Sequence, residues 1–81
     1  MYKPEDFNLT NAPREMVQYV LDNVDDFEER YQHALDIVGR ERSPLRRADL
    51  DLYIDIQTEL DFWCADNGHN FDDYDIEEIF G

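Results

Sequence analysis

Apolar positions recur along most of this chain at the spacing of helices. The first ten residues, with Pro4 and little periodicity, predict an extended arm that lays Phe7 and Leu9 onto the body. Met16, Val17, Val20, Leu21 and Val24 then mark one side of a 3.6-residue repeat. Asn11 is a favoured N-cap, and Pro13 suits a first turn, where its missing N–H is harmless. Asp25 followed by Glu28 is a variant of the capping box and predicts a second helix. That helix carries Phe27, Tyr31, Leu35 and Val38 inward, with Gly39 as its C-terminal stop.

Ser43-Pro44 reads as an N-cap followed by a first helical residue, and Gly68 as a terminator after Asn67. A third helix between them has about 23 residues and is roughly 34 Å long. At 100° per residue, Leu45, Ala48, Leu52, Ile56, Leu60 and Trp63 share one face, while Leu50 and Ile54 lie nearly opposite. A helix apolar on two sides is normally central in a bundle or shared with a second subunit, so a homodimer through Leu50 and Ile54 is one expectation. The tail from His69 to Gly81 predicts a short helix from about Tyr74, N-capped by Asp73. The architecture expected is all-α: a small three- to four-helix bundle with an extended N-terminal arm, forming a single acidic domain over residues 1–81.

Composition narrows what such a bundle does. Apolar residues make up 42% of the 81 positions and aromatics 14%, more than a chain kept disordered by charge would carry. No run approaches the roughly 18 apolar residues of a membrane span. The opening Met1-Tyr2-Lys3-Pro4-Glu5-Asp6 lacks the pattern of a secretory signal. Cys64 is the only cysteine, which excludes an internal disulfide. These features predict a cytoplasmic protein. Ser43 is better explained as a cap and Cys64 lies on an apolar helix, so neither predicts nucleophilic catalysis, and no enzyme is expected. His33, His69 and Cys64 make no zinc pattern. Aligning Asp66 with the start of a calcium loop puts Gly68 at a ligand position and Phe71 where the turn glycine belongs. With Gly39, Gly68 and Gly81 as the only glycines, there is no phosphate cradle. No metal or cofactor is expected.

Charge is the outstanding property: 21 acidic against 7 basic residues give a net −14, where solubility of a small domain needs only about 2 to 8. Residues 1–47 hold 10 acids and all 7 bases, net −3; residues 48–81 hold 11 acids and no Lys or Arg, net −11. Arg40, Arg42, Arg46 and Arg47 form the one basic segment. In so negative a chain they predict ion pairs with neighbouring carboxylates rather than direct nucleic-acid binding.

On the third helix, Asp51, Asp55, Glu59 and Asp66 fall on one strip beside the core face, with Phe62 between them. Like charges four residues apart cost roughly 0.2 to 0.5 kcal/mol per pair. Stability alone does not choose this pattern. The spacing sets charges about 6 Å apart along the axis, comparable with successive phosphates on one strand. The tail adds Asp72, Asp73, Asp75, Glu77 and Glu78, with Tyr53, Phe62, Phe71 and Tyr74 interleaved. In size, charge, helical carboxylate display and interleaved aromatics the chain resembles the DNA-mimic inhibitors, small acidic proteins that phages and mobile elements use against restriction enzymes and CRISPR effectors. The resemblance is one of class and carries no diagnostic motif. It implies a cofactor-free anti-CRISPR or antirestriction type of inhibitor. Such a protein occupies the basic DNA- or RNA-binding groove of a target, with Phe62 and Tyr74 as anchors.

Three other readings fit the same residues. Halophilic adaptation makes surfaces generally acidic and predicts unfolding when salt is removed. An antitoxin or immunity-like protein covers one dedicated basic partner. An adaptor docks Tyr74-Asp75-Ile76-Glu77-Glu78-Ile79-Phe80 as an amphipathic segment into a groove.

Overall fold

The helix over residues 50–67 begins where a polar side chain, and ends where a left-handed residue, takes over the backbone hydrogen bonds. The computed structural model describes residues 1–41 and 45–80, the side chains of 38–41 excepted. The inward packing of Val38 and the Ser43-Pro44 start lie outside those residues. In chain order the helices are α1 (Arg14–Asn23), α2 (Phe27–Glu41), α3 (Leu45–Ala48), α4 (Leu50–Asn67) and α5 (Ile76–Phe80). Single 3-10 turns occur at Pro4–Asp6 and Phe71–Asp73, and the described residues include no strand. The fold is all-α, as the apolar periodicity predicts.

Four boundaries ahead of α5 differ from expectation. The N-cap of α1 is Pro13, extended at φ −62° and ψ 142°, rather than Asn11, whose amide donates to the Asn8 carbonyl at 3.2 Å. A residue preceding proline is pushed to extended geometry, so the helix starts only after the ring. At α2 the Asp26 carbonyl accepts the Arg30 amide at 3.0 Å while Asp26 itself sits at φ 52°. The chain reverses between α1 and α2 within three residues, and the left-handed step moves the start past Asp25. α2 continues through Gly39 to Glu41, because an internal glycine costs only about 1 kcal/mol and does not itself end a helix. The expected third helix is two: Asp49 turns extended (φ −154°, ψ 95°) and its Oδ1 accepts the Leu52 amide at 3.0 Å, capping α4. Aspartate competes with the backbone in this way wherever a cap is geometrically open. The other end of α4 closes as predicted, with Gly68 left-handed at φ 70° and the His69 amide on the Cys64 carbonyl at 2.9 Å.

α4 is the axis of the core. It buries Leu52, Ile56, Leu60, Trp63 and Cys64 against Met16, Val17 and Val20 of α1, Leu45 of α3, and Ile76, Ile79 and Phe80 of α5. Its other apolar positions stay in water: Leu50 is 54% exposed, Ile54 45% and Phe62 55%. The radius of gyration, 11.9 Å, matches the roughly 11.7 Å of a compact domain of this length.

The two ends of the chain meet. Tyr2 and Phe7 of the arm pack on Phe27 and Tyr31 of α2 and on Phe80 of the tail, with ring centroids 5.0 to 6.2 Å apart. The Tyr31 hydroxyl donates to the Phe80 carbonyl, and the Asn8 side-chain amide to that of Glu78 at 3.4 Å. Sequence periodicity does not place the tail in the core; the structure does. α5 starts at Ile76, with the Asp75 carboxylate accepting the Glu77 amide at 2.9 Å, so Asp75 rather than Asp73 holds the cap position and Tyr74 precedes the helix.

Candidate functional site

The carboxylates expected to work together divide between α4 and the tail. Asp51, Asp55, Glu59 and Asp66 share one flank of α4, as their spacing requires. Glu59 and Asp66 lie close enough to Tyr19 of α1 for their charge to act on its hydroxyl. Asp61 and the tail's Asp73 lie on the other side, where both act on Cys64. Asp72, Asp73, Asp75, Glu77 and Glu78 are exposed there, on the turn and α5. They stand on elements other than α4, and Asp73 shares the surroundings of Cys64 with Asp61, a residue not singled out from the sequence.

Members of the row differ in how free they are. Asp51 and Asp66 are exposed. Asp55 is paired with Arg30 of α2 at 2.8 Å, and the same guanidinium nitrogen donates to the Asp25 carbonyl at 3.2 Å. Glu59 is half-buried. Phe62 is an exposed ring on the same side of α4 as these acids. Tyr74 is not: it packs on the core, its hydroxyl 2.8 Å from Nδ1 of His69, whose ring lies 4.7 Å from that of Trp63. Among the described side chains, none of the basic segment is paired with the row. Arg40 and Arg42 fall outside the described side chains; Arg46 lies over the Tyr53 ring at 5.9 Å rather than on a described carboxylate, and Arg47 is exposed.

α1 adds what sequence reasoning passed over. Glu15, Gln18 and Asp22 recur at i, i+3 and i+7 on its exposed side, next to Tyr19, and Gln18 donates to Asp22 at 2.9 Å. The repeat was visible in the sequence; that it would lie alongside the α4 row was not. Helix axes in contact run about 8 to 10 Å apart, so the two rows flank a shallow channel. Arg14, Glu15, Gln18, Tyr19, Asp22 and Trp63 line that groove.

The potential of this surface shows in its neutral acids. Tyr19 is raised above the ordinary tyrosine value by partial desolvation, then by Glu59 and Asp66. Tyr2 is raised by desolvation, then by Glu28, Asp6 and Asp36, and Cys64 by burial, then by Asp61 and Asp73. At Tyr19, Tyr2 and Cys64, nearby carboxylates oppose a further negative charge. Chemically the surface attracts cations and basic macromolecules. Among the described residues, no group of three or more His, Cys, Asp or Glu is arranged to hold a metal ion.

No protein-family model, curated protein or solved structure matches the chain. No described helix is long and apolar enough to cross a membrane. What places this protein in a class is therefore its fold, a small all-α bundle, and its acidic surface.

Proposed function

We propose that the protein is a nucleic-acid-mimicking inhibitor that occupies the basic DNA- or RNA-binding groove of a cytoplasmic target, in the manner of anti-CRISPR or antirestriction proteins. The observation that carries this reading is the Asp51-Asp55-Glu59-Asp66 row. It stands on an 18-residue helix about 27 Å long whose inner face is locked in the core. Rigid placement matters because a fixed array of charges offers a groove its electrostatic complement without first losing side-chain and backbone freedom. Phe62, exposed within the row, supplies apolar area that gains from being covered. Long-range attraction from a net −14 speeds encounter with a basic surface. It also disfavours direct binding to nucleic acid. Asp51, Asp55, Glu59, Phe62 and Asp66 are assigned to one contact surface. The tail acids Asp72, Asp73, Asp75, Glu77 and Glu78 are assigned to a second surface, with Tyr74 as its scaffold. An adaptor role for the tail is less favoured, since Ile76, Ile79 and Phe80 are buried in the protein's own core.

The test is capture from host lysate on immobilised protein, followed by elution with duplex DNA. A basic nucleic-acid-binding protein, released by DNA and lost with an Asp51→Asn/Asp66→Asn variant, supports the reading. Those two positions are chosen because both are exposed and neither carries the ion pair of Asp55. Recovery of a neutral scaffold that DNA does not displace overturns it.

A further inference from the structure

A row of carboxylates by itself attracts lysine and arginine alike, but the groove between α1 and α4 carries more than charge. Tyr19 and Trp63 line it beside Glu15, Gln18 and Asp22, with Glu59 and Asp66 acting on Tyr19 from the α4 side. Arg14 also lines it, yet its guanidinium is bound to Glu5 at 2.5 Å. The local balance around Tyr19 is therefore four carboxylates, Glu15, Asp22, Glu59 and Asp66, against one cation that already has a partner. The lining is held in place. Gln18 donates to Asp22 at 2.9 Å, and Trp63 is braced by the His69 ring, 4.7 Å away.

We propose that this groove seats an arginine side chain of the basic partner. Its guanidinium lies against Tyr19 and the exposed edge of Trp63, and its N–H groups donate to the rim carboxylates. The assignment rests on the inhibitor reading above and adds a chemical selectivity to it. Guanidinium is planar and weakly hydrated, so it stacks on an aromatic face while its fork of donors reaches carboxylates on either side; the ammonium of lysine is a compact, strongly hydrated point charge that does neither well. Glu59 and Asp66 are able to accept several such donors, because an ionised carboxylate has about four lone-pair sites.

The groove contains the one tryptophan of the chain, and this makes the proposal measurable. The purified protein is titrated with oligoarginine and oligolysine peptides of equal length, each carrying a dye. Dye anisotropy reports total binding, and Trp63 emission reports the groove. The expected result is a saturable change in Trp63 emission with oligoarginine and an affinity about fivefold tighter than for oligolysine. Tyr19→Leu and, separately, Glu59→Gln should each bring that preference close to one, while Asp72→Asn on the tail leaves it intact. The two groove variants alter different groups, and circular dichroism verifies that each is folded. Equal affinity for the two peptides overturns the groove assignment, and so does anisotropy-detected binding with Trp63 unmoved; either leaves the inhibitor reading standing. Failure of both peptides to bind at low salt overturns the two together.

Discussion

Replacing Tyr31 by phenylalanine removes one oxygen from the point where the two ends of the chain are joined. The hydroxyl donates to the Phe80 carbonyl within a cluster that includes Tyr2, Phe7 and Phe27. Burial, and after it the neighbouring Tyr2, pushes Tyr31 up to about 12 from the ordinary 10. At neutral pH the variant leaves the Phe80 carbonyl without that donor, a loss of about 1 to 3 kcal/mol. For a domain of this size each kcal/mol lowers Tm by roughly 4 to 8 °C. Above pH 10 the comparison changes. The unfolded chain releases the Tyr31 proton near 10, whereas the folded protein keeps it until about 12. The folded state therefore binds more protons across that window, and stability present in full below pH 10 is lost as pH rises through it. Two pH units correspond to about 2.7 kcal/mol, and solvent screening of a group not wholly enclosed reduces this to about 2 kcal/mol. Tyr31→Phe lacks this loss. Urea unfolding followed by Trp63 emission should show the variant weaker at pH 7 and the gap narrowing steadily from pH 10 to 12. Equal stability at pH 7 together with parallel decline above pH 10 would refute the assignment of Tyr31 as the buried tie to the tail.

Two further outcomes follow from the same geometry. Asp49→Ala removes the carboxylate that caps α4 and should cost about 1 kcal/mol, read as a fall in Tm; Asp49→Asn or Asp49→Ser should restore most of it. Lowering salt to about 0.01 M extends charge repulsion to roughly 30 Å, nearly the 37 Å long dimension of the molecule. The Tm should then fall by a few degrees with the helical circular dichroism retained, whereas wholesale unfolding would favour halophilic adaptation over a mimic.

Much of the fold was legible because helical burial leaves a local signature. Met16, Val17 and Val20, and Leu52, Ile56, Leu60 and Trp63, announce inward faces through spacing alone, and Gly68 announces a stop through its conformational freedom. Helix boundaries were less legible. Asn11 and Pro13, or Ser43 and Asp49, are each competent to cap, and choosing between them depends on where the chain must turn to meet its neighbours. The exposure of Leu50 and Ile54 was likewise undecided, since a face opposite the core can equally belong to a second subunit.

By itself, the sequence determined the helical class, the inner face of α4 and the carboxylate strip beside that face, because residues on one helix keep their angular relation whatever the helix packs against. Only the tertiary structure decided which strips became neighbours. It set Tyr19 of α1 beside Glu59 and Asp66, gave Asp55 to Arg30, brought Asp73 of the tail and Asp61 to Cys64, and drew Phe80 into an aromatic cluster with Tyr2. Except at Cys64, those pairings join positions tens of residues apart. They are fixed by how all the apolar faces close over one another at once, and no short stretch of the chain carries that information.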